Sequence, residues 1–349
     1  MKRFLSSFTR LSRVGFSVGV AALLGSLAVS THAQVTLDMV TVGDPGNTAD
    51  DTTYGAVATS FQIMKYEWTN SQYTAFLNSV ATTDTYSLYN ANMGSNARGG
   101  ITQSGASGSY TYAAKSNMGD KPVNYVSWFD AARVSNWLMN GGTSSSSTET
   151  GAYTLTGGQT SGTAPAVNSG ATFYVPTEDQ WYKAAYYKGG STSAGYWDYA
   201  TQSDSAPTEV TAGLTGIGSA GSTGNFANYN RVADWGSPLQ DGNVTTVGTN
   251  GGASAYDAFD MSGNLYEWND LTGAAGSSRG LRGGDWDDWL NPFSLSSSFR
   301  DTYVPSFDRL NVGFRLASPV AVPEPSTWVM GLVGIACGGW EMWRRRRAR

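Results

Sequence analysis

The chain carries one histidine, His32, and one cysteine, Cys337, and both lie near its ends. The stretch from 34 to 336 contains neither residue type, so no disulfide can hold it together. It must be stabilised by a hydrophobic core and by any metal ions that oxygen ligands can hold. The same absence excludes zinc proteolysis and Ser-His-Asp hydrolysis within this stretch.

Residues 1–33 have the pattern of a secretory signal peptide. Four basic residues precede an apolar segment from 14 to 29, and Thr31-His32-Ala33 places small residues at the usual cleavage positions. We therefore predict cleavage before Gln34 and export of the chain. The alternative is an uncleaved membrane anchor, for which the apolar segment is short.

The C-terminus has a Pro-Glu-Pro motif, an apolar segment and an arginine cluster, in that order. They occupy residues 323–325, 328–343 and 344–349. The apolar segment would form a helix of about 24 Å, which is marginal for a bilayer core of about 30 Å. The arginine cluster would hold its end on the cytoplasmic side.

This ordered triple resembles the PEP-CTERM sorting signal. The resemblance assigns 321–349 to a sorting signal with a short transmembrane helix and implies a membrane-embedded exosortase that cleaves near the Pro-Glu-Pro motif. It also implies a Gram-negative bacterium that makes exopolysaccharide. The inner-membrane anchor would be transient, and the protein would reach the cell surface or the extracellular matrix. The alternative is an ordinary tail-anchored membrane protein.

The body between the two ends is strongly acidic. Residues 34–340 hold 13 basic and 26 acidic residues, although the whole chain has a net charge of only −5. A negative surface repels nucleic acid and anionic lipid, so we predict no nucleic-acid partner. It suits calcium ligation instead.

Residues 34–320 predict one α+β domain. Alternating apolar residues favour strands near 35–40 and 61–64. Thr69, Ser127 and Thr177 each stand before a segment with helical apolar spacing, so they are predicted N-caps. Stretches 92–120, 141–170 and 189–225 are rich in small polar residues and are typical of long surface loops.

Six ordered motifs in this body resemble the sulfatase-modifying factor family, also called the formylglycine-generating enzyme domain. The resemblance implies an irregular, loop-rich variant of the C-type-lectin-like fold. The motifs are EWTNSQY at 67–73, PVNYVSWFDAA at 122–132, VPTEDQW at 175–181, FDMSGNLYEW at 259–268, LRGGDW at 281–286 and NVGFR at 311–315.

Most motif residues predict structure rather than chemistry. The large rings Trp128, Trp181, Trp268 and Trp286 are predicted core anchors whose indole N–H groups need acceptors. Three arginines are expected to pair with carboxylates such as Asp130 or Glu178 through bidentate contacts. These arginines are Arg282, Arg300 and Arg315.

Calcium is the predicted cofactor, in a structural role. Two carboxylates flanking a glycine turn, with carbonyls between them, form an oxygen-rich cage. The resemblance implies a first site made of the side chains of Asp260 and Glu267 and the carbonyls of Gly263 and Leu265. It implies a second site at Asn228, Tyr229, Asp241 and Asn243. The alternative is that these groups serve in caps and salt bridges without metal.

The reaction centre of the family is where this chain departs from it. The resemblance places the two copper-binding cysteines of formylglycine-forming members at Pro292 and Ser297, shortly before Arg300. Neither residue can supply a thiolate, so no copper is expected. Another branch of this fold holds non-haem iron through histidines, and the body has none, so no iron is expected.

A pair of carboxylates could still support glycosidase chemistry. Asp285, Asp287 and Asp288 lie among aromatic residues in a Gly-Gly-Asp-Trp-Asp-Asp-Trp segment. This arrangement is suggestive of contact with a sugar. The alternative is a solvated acidic loop.

The leading functional hypothesis is therefore an exported, non-catalytic surface or matrix protein that binds carbohydrate or another envelope component. The chain's 12 tryptophans and 19 tyrosines offer rings on which sugars can stack. One alternative is a formylglycine-generating oxidase acting on protein cysteine, which would need the missing thiolates. Another is an adhesive module that recognises protein.

Overall fold

The computed structural model describes residues 35–236, 241–289 and 292–320. The predicted signal peptide and the predicted sorting signal, including its membrane segment at 328–343, lie outside these residues. Within the described ranges, no helix has the length and apolar character needed to cross a membrane.

Four α-helices form in the described residues, and three of them begin where the sequence predicts. Thr69, Ser127 and Thr177 each close a capping box, in which the cap side chain and the third helical residue bond to each other's backbone N–H. The fourth, α2, is a single turn capped by Asn90. The helices are α1 (Asn70–Val80), α2 (Ala91–Ser95), α3 (Trp128–Met139) and α4 (Glu178–Tyr186), and a short 3-10 helix spans Pro292–Leu295.

Eleven short strands form in the described part of the chain. The strands are β1 (Met39–Val42), β2 (Phe61–Met64), β3 (Ile101–Ser104), β4 (Thr111–Ala114), β5 (Thr208–Glu209), β6 (Phe226–Ala227), β7 (Tyr266–Asn269), β8 (Arg279–Arg282), β9 (Asp301–Tyr303), β10 (Val312–Gly313) and β11 (Ala317–Pro319).

Two of the sheets hold the domain together. In the first, β2 lies between β1 and β11, so the beginning and the end of the domain share one sheet. The second has the order β10-β7-β8-β9, and β10 runs parallel to β7 while the other pairs are antiparallel. This parallel pairing places Gly313 opposite Glu267.

The main core lies between helices α1 and α3 and the second sheet. Trp68, Phe76, Trp128, Trp268 and Phe314 are fully buried there. A second cluster packs α4 against the first sheet through Trp181 and Phe61. These clusters stabilise the domain without disulfides, as the absence of cysteine requires.

The loop prediction was partly wrong. The stretch 92–120 contains the antiparallel hairpin β3–β4 and most of α2, and 189–225 contains β5. The stretch 141–170 has no helix or strand, as predicted. The hairpin was missed because its strands are four residues long and carry little hydrophobic alternation. The apolar residues 35–37 precede β1 and are not part of it.

Candidate functional site

Glu267 and Arg315 form a buried ion pair at the junction of β7 and β10. Arg315 donates from Nη2 to Glu267 Oε1 at 2.6 Å and from Nε to Oε2 at 2.7 Å. Trp181 adds a third donor, its indole N–H, at 2.8 Å from Oε2. Both charged side chains are 0% exposed. The pair therefore fixes α4, β7 and the chain after β10 to one another.

This geometry bears directly on the first predicted calcium site. Both oxygens of Glu267 accept hydrogen bonds in this arrangement, from Arg315 and Trp181. Asp260 accepts the Gly248 N–H at 2.5 Å and the Asn250 amide at 2.9 Å. These contacts correspond to the salt-bridge and capping alternative, and the calcium prediction stays a prediction.

The backbone around this site is tightly packed. Gly263 has a positive φ of 82°, and a Cβ there would lie 2.4 Å from the Asn228 carbonyl oxygen. Glycine is needed for this close approach. This contact places the turn of the first predicted calcium site, which includes Leu265, against Asn228 of the second predicted site. The two predicted calcium segments are thus neighbours in space.

At the second predicted site, the structure brings two of the four residues together. Asn228 donates its amide to the Asn243 carbonyl at 2.9 Å, and its buried side-chain oxygen has no hydrogen-bond partner among the described residues. An oxygen of this kind fits a cation ligand. Tyr229 instead donates to the Pro207 carbonyl, and the Asp241 side chain is 71% exposed beside Arg231.

No group of three or more acidic, histidine or cysteine side chains capable of holding a metal occurs in 35–236, 241–289 and 292–320. Any calcium here would therefore depend mainly on carbonyl and amide oxygens. Burial raises the pKa of the Asp260 carboxyl. Burial also raises the pKa of the neighbouring Glu67 carboxyl, well above its usual range. A cation would oppose both shifts.

Arg300, which the resemblance places near the family's reaction centre, lies in a second ion-pair network. Glu178 accepts two hydrogen bonds of 2.8 Å from Arg300 and one of 2.9 Å from Arg282. Arg282 also donates to the Ser297 carbonyl at 3.0 Å. The predicted pairing of these arginines with Glu178 is confirmed. Pro292 begins the 3-10 helix, and no thiolate stands at either matched position.

The prediction that Asp130 pairs with one of these arginines was wrong. It accepts hydrogen bonds from the backbone and hydroxyl of Ser127, both at 2.7 Å, and so caps α3. Arg315 pairs with Glu267 instead. The sequence interval between a capping serine and the third helical residue could have indicated this role.

The acidic loop after β8 is organised by its first aspartate. Asp285 accepts the Asp287 N–H at 2.5 Å and the Asn311 amide at 2.6 Å, and it is only 1% exposed. Burial, together with Asp288, raises the pKa of Asp285 well above its usual range. Because its carboxyl is enclosed, Asp285 serves as an internal hydrogen-bond acceptor of this loop.

Two aromatic rings, one at the end of this loop and one on the 3-10 helix, face solvent. Trp289 is 59% exposed and Phe293 is 52% exposed. The Arg231 guanidinium lies 4.9 Å from the Trp289 ring centre and is hydrogen-bonded to Asp287. We call Trp289, Phe293, Arg231 and Asp287 the aromatic surface.

Tyr266 supports this surface from below. Its hydroxyl donates to Asp288 at 3.3 Å, and its ring packs at 6.2 Å from Phe299, which in turn contacts Phe293 at 5.7 Å. The two exposed rings are therefore held by one scaffold. The acidic residues of this loop were predicted candidates, but Phe293 and Arg231 were missed, because exposure depends on tertiary packing.

Several solved structures are similar to this chain. CarF is 21% identical, with a TM-score of 0.47 over 82% of this chain and 99% of CarF. Treponema denticola variable protein 1 is 18% identical, with a TM-score of 0.46 over 83% and 97%. PvdO from Pseudomonas aeruginosa is 19% identical, with a TM-score of 0.39 over 82% and 93%. The chain has no match among curated proteins.

The family model for the sulfatase-modifying factor enzyme 1-like domain matches residues 30–320. Its span covers every described helix and strand. The predicted fold class, an irregular α+β domain of the C-type-lectin-like type, is confirmed. The chain belongs to the family of proteins with a sulfatase-modifying factor enzyme 1-like domain.

Proposed function

We propose that this protein is an exported, non-catalytic binding protein of the cell surface or exopolysaccharide matrix, and that its aromatic surface binds carbohydrate. The observation that carries the proposal is the exposure of Trp289 and Phe293 on one scaffold. Exposed aromatic rings stack on the apolar faces of sugars, and Arg231 and Asp287 offer hydrogen bonds beside them.

The location rests on the two ends of the chain. A signal peptide at 1–33 would export the protein, and an exosortase would cleave the sorting signal at 321–349. The segment 328–343 would anchor the chain only transiently in the inner membrane. An exosortase gene in the producing bacterium is a requirement of this proposal.

Trp289→Ala is expected to weaken binding to the producer's extracellular polysaccharide by about tenfold or more, because a central tryptophan commonly supplies 2 kcal/mol or more. Co-sedimentation of the full-length protein in mild detergent measures this. Val304→Ala is the control, since Val304 is 57% exposed, close to the exposure of Trp289, and follows β9, outside the aromatic surface. Equal loss in both variants, or no saturable binding by the wild type, would count against the proposal.

The same assay with calcium and with chelator tests the cofactor. Binding that needs calcium would support a lectin-like role for the sites at Asp260 and Asn228. Binding in both conditions would keep the matrix role and leave calcium a structural part at most. Loss of binding only in Trp289→Ala would assign recognition to the aromatic surface.

The oxidase alternative predicts turnover of a Cys-x-Pro-x-Arg peptide. We expect none, with or without added copper, because Pro292 and Ser297 cannot form a thiolate pair. Mass spectrometry of the peptide would detect conversion of cysteine to formylglycine. Conversion that depends on the protein would overturn the non-catalytic proposal.

A further inference from the structure

A polar cleft of about 510 Å³ has Asn243, a residue of the second predicted calcium site, in its lining. Its volume is within the range of roughly 300 to 1,000 Å³ that is typical of small-molecule sites. Residues 94–97 and 115–118 supply much of the lining, and Trp235 and Leu214 add apolar surface. The α2 turn and the segment after β4 therefore meet at this cleft.

Of the described residues that line the cleft, one is charged, and it is Lys115. Its ammonium donates to the Asn96 carbonyl at 2.8 Å, and no described carboxylate pairs with it. Burial lowers the pKa of Lys115, and no acidic neighbour opposes this shift. A partly desolvated cation without a counterion is stabilised by an anionic ligand.

The rest of the lining suits a ligand with many hydroxyl groups. Ser95, Asn96, Ser116 and Asn117 present hydroxyl and amide groups, which both donate and accept hydrogen bonds. Asn117 has a left-handed φ of 60° in a turn closed by a 3.0 Å bond from Met118 N–H to the Lys115 carbonyl. This turn fixes the lysine and the polar residues after it.

A small hairpin supplies the apolar edge of the cleft. Gly213 N–H donates to the Ile217 carbonyl at 2.9 Å, and Leu214 at the tip is 92% exposed. Gly216 has a positive φ of 75°, and a Cβ there would lie 2.4 Å from the Trp235 ring. The hairpin is thus seated on Trp235, and it holds an apolar side chain where the C–H face of a sugar ring could pack.

We propose that this cleft binds an acidic sugar residue. The sugar carboxylate pairs with Lys115, its hydroxyls bond to the serine and asparagine side chains, and its apolar face lies against Leu214. This second site does not rest on the aromatic surface, and it would select acidic sugars at one position of an otherwise acidic domain.

Titration of the full-length protein in mild detergent with glucuronate, followed by calorimetry or NMR, tests the proposal. Glucuronate is expected to bind at least tenfold more tightly than glucose. Lys115→Met is expected to weaken glucuronate binding by about tenfold or more, because it removes a charged hydrogen bond. Lys115→Arg keeps the charge and should retain most of the binding.

Lys188→Met is the matched control, since Lys188 lies over the Trp197 ring and is half-buried. Equal affinity for glucose and glucuronate, or equal effects of the two methionine variants, would overturn the proposal. Inorganic phosphate that binds as tightly as glucuronate would also overturn it, by showing a simple anion site. A circular dichroism spectrum that matches the wild-type spectrum confirms that each variant is folded.

Discussion

Arg315→Met is expected to lower the free energy of unfolding by about 3–5 kcal/mol. The substitution leaves the Glu267 carboxylate buried without its cation, since both side chains are 0% exposed. It also removes donors to the Phe259 carbonyl at 2.8 Å and the Met64 carbonyl at 3.2 Å. The Trp181 indole alone cannot replace the charge.

Urea denaturation followed by tryptophan fluorescence measures this loss. Arg309→Met is the matched control, because Arg309 is exposed and lies over Phe307, with no ion pair to any described residue. We expect the control to change stability by less than about 1 kcal/mol. A loss in Arg315→Met no larger than that of the control would contradict the assigned role of the pair. A double variant, Arg315→Met with Glu267→Gln, that loses less stability than Arg315→Met alone would support it.

The same ion pair shows what the sequence could and could not predict. A capping box depends on residues three apart, so Thr69, Ser127 and Thr177 could be recognised directly. Arg315 was predicted to bind a carboxylate, but its partner lies 48 positions earlier. Only the parallel pairing of β10 with β7 brings the two together, and two-residue strands leave little trace in a sequence.

The candidate site, too, could be predicted only in part from the sequence. Motif order was enough to place the chain in its family, whereas the match of Pro292 and Ser297 to the family's cysteines stays a prediction. Which aromatic rings are exposed could not be predicted, because Trp286 and Trp289 are three residues apart in one segment and are 1% and 59% exposed. Arg98 covers the first ring, and Arg231 lies over the second.

Lowering the pH from 7 to 5 is expected to stabilise the domain through Asp130. Burial raises the pKa of Asp130 to about 7, and the Ser127 hydrogen bonds only partly oppose this shift. In the unfolded chain the pKa of an aspartate is about 3.9. Between these values the folded state holds a proton that the unfolded state has lost.

The sign follows from proton linkage. Unfolding releases this proton, so the free energy of unfolding falls as pH rises from about 4 to about 7, by at most about 1.4 kcal/mol per pH unit. Below pH 4 both states are protonated, and above pH 7 both are ionised, so the contribution no longer changes. Asp130→Asn keeps a neutral side chain that can still accept from Ser127 and should remove this contribution.

Denaturation curves at half-unit intervals from pH 4 to 8 would measure the effect. The stability of Asp130→Asn relative to the wild type should increase steadily from pH 4 to 7 and then level off. Asp51→Asn, at an exposed position, is the control and should follow the wild type at every pH. If the Asp130→Asn curve runs parallel to the wild-type curve across this range, Asp130 is ionised in the folded domain. The α3 cap would then be a charged one, stabilised by the helix N-terminus and the Ser127 donors despite its burial.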